Sequence, residues 1–155
     1  MTKRKPYDER NDLERIESQW RKLSGLHSRE EWSAAVVRAA TAAEIAANFV
    51  IRKEFSTRSK FDAAFVDGLL RWSNGLSGKI DHLLLPLFVG RPEHSSLNKL
   101  KRVAEALNRL RNDVVHHGNF CNEKEARENV LHAKNLIEAL VRLYEPGFTL
   151  KENKR

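Results

Sequence analysis

The sequence predicts an all-α protein, an antiparallel up-and-down bundle of four to five main helices. Apolar residues recur at spacings of three and four along most of the chain, and no segment alternates convincingly with a period of two. Only 7 Gly and 4 Pro occur in 155 residues, and 32% of the residues are charged. This composition suits a soluble helical domain better than a β-sandwich or barrel, and the length is sufficient to bury a core.

The N-terminal third contains two predicted helices. The first covers residues 12–23 and is expected to end at Ser24-Gly25. The second is expected to start at a capping box formed by Ser28 and Glu31 and to continue to about residue 55. The apolar stripe of the second helix is rich in alanine, which predicts that another helix approaches it closely. We therefore divide the chain into a basic tail and first helix (1–27), a helical bundle (28–145) and a basic C-terminal tail (146–155).

The remaining elements are shorter until the last two helices. A third helix is predicted at about 60–73, a break at NGLSG (74–78), and a short helical piece up to Gly90. The next helix is expected to run from about Ser95 or Ser96 to His116, with Gly118 just past its end. Asn122 is expected to cap the last helix. The three tryptophans, Trp20, Trp32 and Trp72, are predicted to lie in the core.

The formal net charge of +7 is concentrated at the chain ends and in one helix. Residues 1–5 carry three positive charges and residues 151–155 a net two, which leaves about +2 for residues 6–150. Within that body, residues 98–113 hold five basic and two acidic residues. The single cysteine excludes an intrachain disulfide, no secretory signal is recognisable, and the apolar run 83–89 is too short to cross a bilayer. We therefore expect a cytoplasmic protein with no membrane partner.

The most informative stretch is RNDVVHHG, residues 111–118, at the end of a leucine-striped helix. Asn112 and His116 are four residues apart and therefore share a helix face, whereas Arg111 and His116 are separated by about 140° around the axis. Arginine binds phosphate oxygens, and histidine transfers protons near neutral pH. Arg-to-His pairs of similar spacing also occur at Arg21 and Arg127, so the spacing alone is weak. An ordinary helix C-cap would also explain the histidines and the glycine.

The Arg111-Asn112 pair followed by His116, inside a short helical bundle, resembles the motif of the HEPN domains (higher eukaryotes and prokaryotes nucleotide-binding). The resemblance implies a homodimer whose motif helices share one cleft, and a metal-independent endoribonuclease that acts on RNA. It further implies that His116 is the general acid or base, that Arg111 steadies the phosphate, and that Asn112 orients His116 or binds a phosphate oxygen. His117 is a second candidate, because the family tolerates a longer spacing. Such a protein would be a toxin or defence effector, with a possible cognate antitoxin or regulatory protein.

Other residues have weaker assignments. Arg102 and Arg109 lie in the basic segment beside the motif and are candidates for substrate binding. Glu44 and Asn48 are an i, i+4 pair that could bond each other, or support the site by reaching Arg111. No metal site or cofactor is expected. Two alternatives stay open: a non-catalytic HEPN module that binds RNA, a nucleotide or a partner protein, and a helical adaptor without a site.

Overall fold

Every regular element in the described part of the chain is helical, which confirms the all-α class. The structure is a computed structural model that describes residues 5–73 and 75–151, and of Ser28 it describes only the backbone. The elements follow in the order of the sequence. They are a 3-10 turn (Tyr7–Glu9), α1 (Asp12–Ser28), α2 (Trp32–Arg58), α3 (Ala63–Trp72), α4 (Gly75–Lys79), a π turn (Ile80–Leu84), α5 (Leu85–Leu87), α6 (His94–His117) and α7 (Glu123–Val141).

Helix α1 is longer than the sequence predicted. It begins at a reciprocal capping box, in which the Asn11 side chain accepts from the Glu14 amide at 2.9 Å. The helix continues through Ser24 and Gly25, because Leu23 and Leu26 on either side pack on the core; the Ser24 hydroxyl donates to the Trp20 carbonyl at 3.1 Å inside the helix. The predicted end at Ser24-Gly25 is therefore wrong. Residues 29–31 connect α1 to α2, so the predicted start of the second helix near Ser28 is also wrong; the Ser28 half of the predicted capping box lies outside the described residues.

Helix α2 packs against α1, α6 and α7 and supplies much of the core. Its buried alanines confirm the predicted close contact with other helices; they are Ala35, Ala39, Ala40, Ala42, Ala43, Ala46 and Ala47. The helix is long and apolar enough to cross a membrane by length and composition, with a mean hydropathy of 1.5 in a window that is 61% buried inside the protein. A central core helix needs the same composition, so this property does not identify a membrane span.

The predicted break at 74–78 is wrong where the structure describes it, since Gly75–Lys79 is helical and continues through the π turn into α5. Asn74 lies outside the described residues. Leu76, Ile80 and Leu84 are each at most 2% exposed, so their spacing of four holds this segment on the core despite Gly75 and Gly78. At Gly75 a Cβ would lie 3.3 Å from Asn108 Oδ1 on α6, so α4 and α6 are close together at this point.

The last two helices agree with the sequence. The α6 stripe faces the core: Leu107 is fully buried, and Leu110 and Val114 pack against a cluster of Val36, Cys121 and Ala126. The Asn122 side chain accepts from the Glu125 amide at 2.8 Å and caps α7, as predicted. The prediction for Trp72 is wrong, because this residue is 88% exposed. The buried face of α3 is formed by Val66 and Leu70, and Trp72 projects about 200° away from Leu70.

Candidate functional site

Helix α6 is capped at its C-terminal end by Gly118. Gly118 has φ 64, in the left-handed region, and no atom lies within 4 Å of the position a Cβ would occupy. The amides of Gly118 and Asn119 both donate to the Asp113 carbonyl, the second at 3.2 Å. His116 and His117 lie in the last turn, where the helix dipole favours positive charge. These residues therefore form a complete helix C-cap, as the alternative interpretation predicts. Any further role of the histidines must come from the side chains around them.

Arg111 and Asn112 are brought together. Both are half-buried, and Arg111 Nη1 donates to Asn112 Oδ1 at 3.2 Å. A guanidinium has five N–H donors, so this bond leaves most of the planar fork open to an oxyanion. The bond also occupies the oxygen of Asn112, and no hydrogen bond in the described residues joins Asn112 to His116. Asn112 therefore contacts Arg111 and not His116.

The two histidines are both exposed, but they differ in their neighbours. His117 Nδ1 lies 3.4 Å from Asp113 Oδ1, one turn earlier on α6, and its side chain is 68% exposed. His116 makes no hydrogen bond within the part of the chain that the structure describes. A carboxylate near an imidazole favours one ring orientation and tautomer. His117 therefore has an acidic neighbour that His116 lacks. The sequence reasoning missed this contact of Asp113, although its i, i+4 spacing to His117 was visible.

Most of the predicted site residues lie on the outward face of α6. Arg102, Glu105, Arg109, Asn112 and His116 follow one another at spacings of three and four, opposite the leucine stripe. Arg102 and Arg109 are exposed, about 10 Å apart along the helix axis, and a similar distance separates Arg109 from His116. Arg111 is different, because it projects toward the edge of the core face. The outward face therefore carries two arginines in line with a histidine.

Exposed apolar side chains adjoin the same helix end. Phe120 is 91% exposed, directly after the cap, and Val115 is 47% exposed between Arg111 and the histidines. Single exposed apolar residues are common on protein surfaces. Aromatic residues are enriched in protein interfaces, so Phe120 is a residue available for contact with a partner.

Glu44 and Asn48 do not join this site. Glu44 Oε1 binds Lys79 Nζ at 2.7 Å, and no hydrogen bond in the described residues connects either Glu44 or Asn48 to Arg111 or to each other. The expectation that this pair bonds internally or reaches Arg111 is therefore wrong. Lys79, on α4, is almost entirely buried, and its ammonium group is paired with the carboxylate of Glu44 on α2. Both residues line a separate cavity, described below.

The remaining reactive groups do not form a centre. Within residues 5–73 and 75–151, no group of three His, Cys, Asp or Glu side chains is arranged to hold a metal ion. Cys121 is 7% exposed, and its amide donates to Ser33 Oγ at 2.8 Å. Burial, together with the nearby negative charge of Glu125, raises the pKa of the Cys121 thiol. A neutral buried thiol is a poor nucleophile, so Cys121 acts as a small core residue.

No protein-family model, no curated protein and no solved structure matches the chain. The resemblance to HEPN domains stays a prediction carried by Arg111, Asn112 and the two histidines. The chemistry of these residues and their placement on α6 supply the grounds for a functional proposal.

Proposed function

We propose that the chain is a HEPN-type, metal-independent endoribonuclease, folded as an antiparallel up-and-down bundle and active as a homodimer. One observation carries the proposal: two exposed histidines end α6 beside a hydrogen-bonded Arg111–Asn112 pair. Arg102 and Arg109, on the outward face of the same helix, supply positive charge to hold an RNA backbone. A role as a toxin or defence effector, held in check by an antitoxin or regulatory protein, belongs to the same proposal.

The divergence of the two functional groups on a single helix supports a shared site. Arg111 and His116 project about 140° apart, so they do not lie along one face of α6 and would meet at a phosphate either across the helix end or in a cleft with a second copy. A two-fold axis near the end of α6 would place the Arg111 of one copy opposite a histidine of the other, since such an interface pairs a surface with itself. Phe120 and Val115 provide the exposed apolar surface that this contact would bury.

The proposed reaction is a transesterification at one phosphodiester. A histidine takes the proton from the RNA 2′-hydroxyl, and the resulting oxygen attacks the adjacent phosphorus. The bond from phosphorus to the 5′-oxygen of the next nucleotide breaks, and a second protonated histidine gives its proton to that oxygen. Arg111 stabilises the extra negative charge on the phosphorane oxygens. The products are a 2′,3′-cyclic phosphate end and a 5′-hydroxyl end.

The test is cleavage of single-stranded RNA in the presence of EDTA, with analysis of the product ends. His116→Ala should lower the cleavage rate by about 10²–10⁴-fold, the usual contribution of general acid–base catalysis. His117→Ala, measured alongside, shows which imidazole dominates. His132→Ala is the matched control, because His132 is an exposed histidine on α7 outside the motif. Wild-type cleavage rates in both His116→Ala and His117→Ala would refute the proposal.

The second candidate is a non-catalytic HEPN module that binds RNA, a nucleotide or a partner protein. The observation that favours it is the absence of any hydrogen bond to His116 in the described residues, together with the engagement of Asn112 by Arg111. Such a module would bind RNA with an affinity that falls steeply with salt, and Arg102→Gln and Arg109→Gln would weaken binding at every sequence. Binding without cleavage products at any protein concentration would select this candidate.

A further inference from the structure

Helices α1, α2, α3 and α4 surround an open cavity of about 470 Å³ on a different part of the bundle from the α6 motif. Its volume falls within the range of sites for small molecules, roughly 300–1,000 Å³. Each of the four helices contributes one cationic side chain to the lining: Arg15, Arg52, Arg71 and Lys79. The lining contains two carboxylates, Glu44 and Asp67, and Asp12 pairs with Arg52 from outside the lining, so the four cationic groups outnumber the neighbouring carboxylates by one.

The cations of the cavity are only partly neutralised. Arg52 binds Asp12 at 2.7 Å and Asp67 at 3.1 Å, which fixes the plane of its guanidinium. Lys79 binds Glu44 and keeps two further N–H donors. Arg71 is exposed and makes no ion pair or hydrogen bond in the described residues. A ligand would therefore meet a free guanidinium together with groups whose positions are already set.

One lining residue, Asn48, has an acceptor without a donor. Asn48 Oδ1 is buried from solvent and has no hydrogen-bond partner in the described part of the chain. Buried polar atoms are nearly always satisfied by protein, water or a ligand, so this oxygen is a place for a water or a ligand donor to bind. A ligand with a hydroxyl group would satisfy it while its anionic group accepts bonds from the surrounding cations.

We propose that this cavity binds a small phosphomonoester that also carries hydroxyl groups. A tetrahedral phosphate presents three oxygens in different directions and can be reached by cations from several helices, whereas a carboxylate presents two oxygens in one plane. Arg71 and Lys79 bind the phosphate, and Asn48 Oδ1 accepts from a hydroxyl of the ligand. The site is independent of RNA cleavage, because none of its lining residues belongs to α6.

The test uses two probes that differ only in their hydroxyl groups, n-propyl phosphate and glycerol 3-phosphate, titrated at constant ionic strength into ¹⁵N-labelled protein. The amides of Ser73 and Gly75 should shift saturably with both probes, and glycerol 3-phosphate should bind more tightly. Arg71→Gln should raise both dissociation constants at least fivefold. Arg21→Gln removes the same charge from an exposed position on α1 and should leave them unchanged. Asn48→Ala should abolish the advantage of glycerol 3-phosphate alone.

Several outcomes would overturn the assignment. Equal, non-saturating shifts at basic residues over the whole surface would show ionic attraction only. Equal affinities for the two probes, unchanged in Asn48→Ala, would show that a bridging water satisfies Asn48. Saturable shifts of Ser73 and Gly75 with a short 5′-hydroxyl RNA, but not with glycerol 3-phosphate, would show that the cavity takes an RNA backbone phosphate. Because the readout is binding, its failure is separate from a failure of RNA cleavage.

Discussion

Glu54 is the best place to test the physical account of the fold. Its side chain is 4% exposed and accepts from Arg91 at 2.9 Å and from Arg58 at 3.4 Å, and the Tyr144 hydroxyl also donates to it. The substitution Glu54→Gln keeps the size of the side chain but replaces one acceptor oxygen by an NH2 group. That group is itself a donor and cannot accept from Tyr144 or the arginines. A hydrogen bond to a charged group contributes roughly 1.5–3 kcal/mol, and two strong ones, from Tyr144 and Arg91, are disturbed.

The expected loss is smaller than the sum of these bonds. The Arg91 and Arg58 side chains are 37% and 44% exposed, so water replaces part of what each arginine loses. We therefore expect Glu54→Gln to lower the free energy of unfolding by about 2–3 kcal/mol, which corresponds to a Tm lower by about 5–10 °C for a chain of this size. Glu128→Gln is the control, an exposed glutamate on α7, with an expected change within about 0.5 kcal/mol.

The pH dependence gives a sharper test of the same network. Burial by itself raises the pKa of Glu54, but the hydrogen bonds from Tyr144 and Arg91 and the charges of Arg91 and Arg58 prevail and lower it. A carboxyl group whose pKa falls on folding stabilises the protein above its unfolded pKa, and this contribution is lost as the pH falls through the folded pKa. The stability difference between wild type and Glu54→Gln should be full at pH 7 and shrink below roughly pH 4.3.

Urea unfolding at several pH values measures both quantities, since the midpoint and slope give the free energy of unfolding at each pH. A Glu54→Gln variant within 0.5 kcal/mol of wild type at pH 7 would refute the energetic reasoning. A difference that stays constant between pH 7 and pH 3 would show that the ionised carboxylate is not what stabilises the fold.

The remaining predictions concern the helix ends and the proposed dimer. Gly118→Ala should destabilise the protein by about 1–2 kcal/mol, because its φ of 64 is left-handed. Gly68→Ala, in the interior of α3 with open space around it, should stabilise the protein by about 0.5–1 kcal/mol. Urea unfolding of the two variants should show changes of opposite sign in the free energy of unfolding. Phe120→Ser should weaken self-association at least tenfold in sedimentation equilibrium and leave the unfolding midpoint of the monomer unchanged, since Phe120 is 91% exposed. A Phe120→Ser protein that associates like wild type would place the interface elsewhere.

Local signals in the sequence were sufficient for most of the helices. The 3-and-4 spacing of apolar residues identified α2, α6 and α7, and Gly118 and Asn122 marked a helix end and a helix start because their special conformations depend on neighbours only a few residues away. The same local reasoning failed at Gly25 and Gly75, where buried side chains on either side keep the chain helical. Tertiary packing outweighs a cost of about 1 kcal/mol for glycine in a helix.

The arrangement of charged residues was less predictable than the helices. Glu44 and Lys79 are 35 residues apart in sequence and Arg52 and Asp12 are 40 apart, so no spacing rule connects them. The cavity depends on these long-range pairs and was therefore invisible in the sequence. The candidate site on α6 was visible because all its residues lie within one segment, but the sequence could not show that Asn112 bonds Arg111 or that Asp113 lies beside His117.

The spacing of the α6 motif has a structural meaning that follows from helix geometry. Five residues advance about 7.5 Å and turn about 140°, so Arg111 stays near the core edge while His116 faces outward. If a single protomer were the catalytic unit, a four-residue spacing would serve better, because it places both side chains on one face. In the proposed dimer the divergence becomes an advantage, because the arginine of one copy and the histidine of the other would approach one phosphate from two sides. The geometry that weakens a site on one face of a single helix is therefore compatible with the proposed site between two copies.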